Sequence, residues 1–253
     1  LYDYWGGLND LRMGLVRVLH SLSFVDDPTR MLRAVRYEAR YGFEIETRTL
    51  SLLQEALPLV YRVTGERLSA ELEHILAEPE VLAMLSRLEA LGLLKAIHPD
   101  LIYDEFLAQR LTSLPDSPPA HEWGLPEQDW NKQRNTLAFM IWLLPVEQQA
   151  ADEILHRLNY PRGEARAILD AGRLSRTLVE LKTLRVFEMV EILDEYAPLV
   201  IYANYLASSD AACKGLLENY QKHWRKVHPV INGDELRRRG LPPSPAYKKI
   251  LNS

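Results

Sequence analysis

Apolar residues recur three and four positions apart along almost the whole chain, and the apolar–polar alternation that marks strands is absent. That periodicity predicts an all-α protein built from consecutive helix pairs. With 253 residues, 47% of them hydrophobic, the chain can enclose a substantial core, in one large unit or in a few small ones. The longest apolar run, Leu137 to Leu144, is far shorter than the ~20 residues that a membrane span needs. The opening "LYDYWGGLNDL" is neither basic nor followed by an apolar stretch, so no secretory signal is read. It lacks an initiator methionine and starts inside what reads as a loop, and the chain is expected to be a piece of a longer protein.

Two further totals narrow the function. A net charge of −5 excludes a globally basic nucleic-acid binder, so anion binding must come from local patches. Cys213 is the single cysteine, which excludes an internal disulfide and suits a reducing, cytoplasmic setting. No membrane partner is expected.

The spacing predicts helices over 11–22, 28–41, 47–57, 66–76, 80–91, 128–144, 147–158, 162–174, 185–196 and 210–227. Residues 113–127, "SLPDSPPAHEWGLPE", carry four prolines and read as a loop between helical groups or a domain boundary. No low-complexity tract or internal repeat interrupts the pattern.

The stretch "SFVDDPTRMLRAVRYEARYGF", from Ser23 to Phe43, carries the chemistry. Asp27 followed by Pro28 is a strong helix start, an N-cap before a proline at the first helical position. At ~100° per residue, Arg30, Arg33, Arg36 and Arg40 share an arc of roughly 120°, with Leu32, Val35 and Ala39 opposite. Two readings fit. In the plain one, Asp27 caps the helix, Arg30 pairs with it one turn on, and the other arginines form a solvated face. In the other, the arginines form a cationic strip with few acids beside it, suited to phosphates because guanidinium forks grip their oxygens in pairs. Asp27 and Arg30 then reach one ligand edge. A carboxylate accepts and a guanidinium donates, which matches the amino donor and ring-nitrogen acceptor of cytosine and adenine and mismatches uracil and guanine.

This stretch resembles motif D of the class II tRNA nucleotidyltransferases and bacterial poly(A) polymerases, whose pattern is Glu-Asp-x-x-Arg continued by arginines on one helix. Here it stands as Asp26-Asp27-Pro28-Thr29-Arg30, with Asp26 where the family usually has glutamate. "DYWGGLNDL" is similar to the family's hinge motif, with Asp3, Gly7, Asp10 and Leu11 in its fixed positions. "ERLSAELEHIL", with Glu66 and Arg67, is similar to motif E, which in the family steadies the base-reading helix. The end, "GDELRRRGLPPSPAYKKIL", is similar to a C-terminal signature in which the family tends to have Pro-Gly-Pro; this chain has Pro243-Ser244-Pro245.

The resemblance implies a hinge remnant over 1–8, a base-reading neck over 9–78, a body over 79–205 and a tail over 206–253. It implies that Asp27 and Arg30 read the base of CTP or ATP, and that Asp26, Arg33 and Arg36 place phosphates or hold that pair. The partner would be tRNA or another RNA 3′ end, bound by backbone shape, with Arg237, Arg238, Arg239, Lys248 and Lys249 as RNA contacts in the tail. The family's catalytic head carries a Gly-Gly-x-x-x-Arg-Asp stretch and an Asp-x-Asp pair that holds Mg²⁺, and this chain has neither. The expectation is a neck–body–tail region, without catalytic residues, metal or cofactor of its own, that works with a missing N-terminal nucleotidyltransferase head. A different class remains open from the residues alone: a helical interaction scaffold whose arginine strip binds an acidic partner.

Other candidates read as structural. His98-Pro99-Asp100 has no companion histidine at helix spacing, His121-Glu122 sits in the proline-rich loop, and Cys213 reads as an inert thiol near a helix start.

Overall fold

The computed structural model describes residues 3–227 together with 237, 238 and 240. The chain begins with α1 (Gly7–Met13), β1 (Leu15–Val16) and α2 (Ser23–Asp26), followed by α3 (Thr29–Tyr41), β2 (Glu44–Ile45), α4 (Thr47–Ala56), α5 (Gly65–Leu76) and α6 (Val81–Ala90). It continues through α7 (Leu93–Ile97), α8 (Glu105–Leu111), α9 (Trp130–Leu143), α10 (Gln148–Arg157) and α11 (Arg162–Leu181) to α12 (Val186–Leu193), α13 (Pro198–Ala207) and α14 (Ala211–Lys222). Short 3₁₀ turns lie at Leu57–Arg62, His121–Trp123 and Trp224–Lys226. The fold is all-α, apart from the parallel pairing of β1 with β2, two residues each.

The helix expected over 11–22 does not form. Asp3 caps α1 instead, accepting from the Gly7 and Leu8 amides at 2.9 and 2.8 Å, and α1 stops at Gly14. Gly14 takes φ 66°, a left-handed conformation that ends a helix and that side chains rarely adopt. The apolar residues that suggested a longer helix are left at the surface: Leu8, Leu11, Met13, Leu19, Leu22 and Val25 are exposed, as are Tyr4 and Trp5. Four further helices, α2, α7, α8 and α13, form where none was expected, and α11 runs seven residues past its expected end at 174, to Leu181.

Helix α3 follows its sequence signals closely. Pro28 already has helical φ/ψ of −64° and −19°, and Asp27 before it is extended. Met31, Leu32, Ala34 and Val35 are buried against α5 and α6. Gly42, at φ 64°, closes the helix, and the Phe43 amide bonds Glu38 O at 2.9 Å.

Helix α9 is buried on almost every side and packs on α11 and α13, which explains the unbroken apolar run at 137–144. The proline-rich segment 113–127 is a loop, as expected, and it is anchored on α13 and α14. Trp123 is buried between Tyr202 and Tyr205, with ring centroids 4.7 and 4.6 Å away, and its carbonyl accepts from Gln221 Nε2 at 2.8 Å. One buried cluster runs from Phe24 to Tyr220.

The start of α5 meets the end of α10 at very short range. Arg157 donates to Val60 O at 3.0 Å and Val63 O at 3.1 Å, and Asn159 Nδ2 donates to Glu66 at 2.9 Å. Glycine at 65 lets the two backbones touch there.

Candidate functional site

The start of α3 gathers Asp27, Thr29, Arg30, Ser23 from α2 and Arg67 from α5. Asp27 Oδ1 accepts from the Thr29 amide at 3.1 Å and from Thr29 Oγ1 at 2.7 Å. Its other oxygen accepts from Arg67 Nη2 at 2.7 Å, and Arg67 also reaches Thr29 Oγ1 at 3.2 Å. The Asp27 side chain is 20% exposed. Partial burial raises its pKa, but the hydrogen bonds from Thr29 and Arg67 outweigh that and hold the carboxyl below its ordinary value. Asp27 is therefore an anion in the folded protein near neutral pH.

Arg30 does not pair with Asp27, against the plain reading of the spacing. Its Nη1 donates to Ser23 Oγ at 2.8 Å and to Ser23 O at 3.3 Å. The partner of Asp27 is Arg67, forty residues away in sequence, supplied by the packing of α5 on α3. Asp27 Oδ2 keeps a second lone pair, and Arg30 keeps its Nε and Nη2 donors. The two side chains thus present an acceptor and donors from neighbouring turns, each already tied down by a different partner. Arg30 also borders a 370 Å³ pocket with Val16, Val18, Phe24, Arg33 and Tyr37; Asp27 is not part of its wall.

The arginine strip behind them has more acid beside it than the sequence suggested. Arg33 donates to the Tyr37 hydroxyl at 3.2 Å and lies 3.9 Å from Glu71. Arg36 is only 13% exposed and sits between Glu71 at 3.7 Å and Glu78 at 3.8 Å. Arg40 pairs with Glu78 at 2.9 Å. Glu71 lies on α5 and Glu78 just beyond it, so the strip ties α3 to α5. Glu38, on α3 itself, pairs with Arg87 of α6 at 2.8 Å. Asp26 lies apart from this ladder, 3.9 Å from His20 Nε2.

Elsewhere, Asp3 caps α1, and hydrogen bonds from backbone amides, Leu8's foremost and Gly7's among them, outweigh desolvation and lower its pKa. Gly7 provides one of those amides, and Asp10 pairs with Arg17 at 3.2 Å. Glu66 accepts from Asn159 Nδ2. Arg237 and Arg238 are exposed, while Arg239, Lys248 and Lys249 lie outside the described residues. Among the described residues no three His, Cys, Asp or Glu side chains come together as a metal-holding group, and no helix is long and apolar enough to cross a membrane. Ser23 and Thr29 were missed in the sequence; the signal available was their place within the Ser23–Arg30 stretch.

Comparison with known proteins extends the likeness over the whole chain. A family described as "Probable RNA and SrmB- binding site of polymerase A" matches residues 42–104. An A-adding tRNA nucleotidyltransferase of Geobacter sulfurreducens is 28% identical over all of this chain and 30% of its own length. Another, from Halalkalibacterium halodurans, is 28% identical over 99% of this chain and 56% of itself. The structure of the Thermotoga maritima CCA-adding enzyme complexed with tRNA_CCA superposes with a TM-score of 0.72 at 29% identity, covering 99% of this chain and 61% of that one. The chain thus spans between about a third and three fifths of the length of these relatives. In sequence and in fold it is similar to the helical C-terminal part of the tRNA nucleotidyltransferases.

Proposed function

We propose that this chain is the base-selecting and RNA-binding part of an enzyme that adds C or A to the 3′ end of tRNA. The observation that carries the reading is the whole-length likeness to a CCA-adding enzyme, within which Asp27 and Arg30 stand as a fixed acceptor and donor. In this reading Asp27 accepts from the exocyclic amine of cytosine or adenine, and Arg30 donates to the neighbouring ring nitrogen. Uracil and guanine present the opposite pattern and leave both groups unpaired. Arg33 and the exposed rim contribute phosphate contacts, while Arg36 acts chiefly in holding α3 on α5. Residues 9–78 serve as neck, 79–205 as body and 206–253 as tail, the last carrying the RNA contacts Arg237, Arg238, Arg239, Lys248 and Lys249. A nucleotidyltransferase head supplies the Mg²⁺-binding carboxylates, and the exposed apolar face of residues 4–25 is the contact we assign to it. The workplace is the cytoplasm.

Both A-adding enzymes named above support addition of A as the end point. The test is the full-length protein, assayed with tRNAs ending at successive positions and with each nucleotide. A tRNA lacking only its last A, incubated with ATP, should be extended best. The 253-residue chain alone, with Mg²⁺, should transfer nothing. Incorporation of labelled CMP or AMP by that chain would overturn the assignment of chemistry to a separate head.

A further inference from the structure

Each of the two reading side chains is fixed by a hydroxyl group. Arg30 is a long, exposed side chain, and Ser23 tethers its guanidinium through both Oγ and the backbone carbonyl. Ser23 is 6% exposed and opens α2; its carbonyl also accepts the Asp27 amide at 3.2 Å, so the turn that seats Asp27 is the turn that holds Arg30. Guanidinium donates and Ser23 Oγ accepts, which points the remaining face of Arg30 away from α2.

On the other side, Thr29 is 2% exposed. Its hydroxyl has one proton, given to Asp27 Oδ1 at 2.7 Å, and it accepts from Arg67 Nη2 at 3.2 Å. Arg67 Nη2 returns to Asp27 Oδ2 at 2.7 Å. Asp27, Thr29 and Arg67 thus close a ring that sets the carboxylate plane. An acceptor–donor edge discriminates between bases only if both groups are held in place, because paired hydrogen bonds weaken steeply with angle.

We infer that Ser23 and Thr29 are positioning residues for base choice, Ser23 acting through Arg30 and Thr29 through Asp27. The inference rests on the base-reading role proposed above. Neither hydroxyl touches the nucleotide. A merely structural role predicts that removing them lowers stability; a positioning role predicts that it lowers discrimination.

The experiment uses the full-length enzyme with Ser23→Ala and Thr29→Val, the latter matching the buried volume. Ser23→Thr and Thr29→Ser keep the hydroxyl. The readout is the ratio of kcat/KM for ATP over GTP and for CTP over UTP, beside thermal unfolding. Each hydroxyl deletion should lower the ratio about fivefold, the effect of one ordinary hydrogen bond, and the hydroxyl-keeping variants should restore it. In Thr29→Val the loss of discrimination on acidification should begin at a higher pH, because a bond that favours ionised Asp27 is gone. Thr29→Ser should keep the wild-type profile. If Ser23→Ala does not fold, Ser23→Cys, of similar volume but a weak acceptor, should show the same fall in ratio.

Wild-type ratios in the hydroxyl-deleted variants, while Arg30→Met and Asp27→Asn lose discrimination, overturn this inference and leave base reading standing. Wild-type ratios in Arg30→Met and Asp27→Asn as well mean that the base-reading role itself is wrong.

Discussion

Replacing Gly65 by alanine should break the tight approach of α5 to α10. A methyl carbon at that position would lie 2.4 Å from Arg157 O, 2.7 Å from the Leu158 carbonyl carbon and 2.8 Å from Asn159 N. All three are backbone atoms, so no side chain can swing aside. Restoring ordinary contact at roughly 3.5 Å requires α5 and α10 to part by about 1 Å. Overpacking of this kind costs about 1–3 kcal/mol. The parting also stretches the hydrogen bonds from Arg157 to Val60 O and Val63 O, at 3.0 and 3.1 Å. Bonds from a charged donor contribute roughly 1.5–3 kcal/mol each, so their partial loss adds about 1–2 kcal/mol. Against this, alanine gains at most about 1 kcal/mol of helix propensity, and less at the first residue of a helix. The net expectation is a loss of about 1–4 kcal/mol. Urea unfolding followed by circular dichroism measures it. Gly215→Ala is the control: this glycine lies inside α14 with nothing within 4 Å of the added carbon, and the change should stabilise by up to about 1 kcal/mol. A Gly65→Ala protein within about 0.5 kcal/mol of wild type would refute the close-contact reasoning.

Other expectations follow from the same geometry. Asp27→Asn keeps a cap on the Thr29 amide but weakens the link to Arg67 and adds a donor where an acceptor is needed; stability should fall by no more than about 1 kcal/mol, while preference for ATP and CTP over GTP and UTP falls about tenfold or more. If that variant keeps the wild-type preference in steady-state assays, Asp27 is a cap and nothing else. Asp210 is held down to about 2 by Lys182 and by the amides at the start of α14, so its contribution to stability is present above its ordinary 3.8 and disappears as pH falls from there to about 2. The stability difference between wild type and Asp210→Ala should therefore shrink over that window in acid-unfolding curves; a difference that stays constant from pH ~4 to about 2 contradicts it. Neutral replacements at Arg237, Arg238, Arg239, Lys248 and Lys249 should reduce the logarithmic salt slope of tRNA binding by roughly 0.7–0.9 for each phosphate no longer neutralised, and an unchanged slope would move the RNA surface elsewhere.

Local signals and tertiary contacts separate cleanly in this chain. Helix α3 was legible because its start, apolar face and stop are written in consecutive residues: Asp27-Pro28, then Leu32 and Val35, then Gly42. The segment 11–22 was not, because its apolar spacing imitates a helix while Gly14 takes a left-handed turn and Leu15–Val16 pair with a strand some thirty residues on. In the candidate site, Asp27, Arg30 and their cap were visible in one stretch. Their actual partners were not visible from spacing. Arg67 comes from α5 and Ser23 from the turn before, and the acids that meet Arg33, Arg36 and Arg40 come from Glu71 and Glu78. Charge along one helix says what a face offers; which neighbour accepts it depends on how the helices pack.

Trp5 has a practical consequence of its own. It is 73% exposed, whereas Trp123, Trp130 and Trp142 are buried and Trp224 packs partly against the core. Of the five tryptophans, then, one reports on the N-terminal segment and the others on the interior. A water-soluble quencher such as acrylamide should extinguish the red-edge emission of Trp5 first and leave a bluer spectrum behind. Anything that covers residues 4–25 should shield that indole and shift its emission to shorter wavelength. The chain thus carries an intrinsic optical probe, readable without labelling, for contacts made by its first helices.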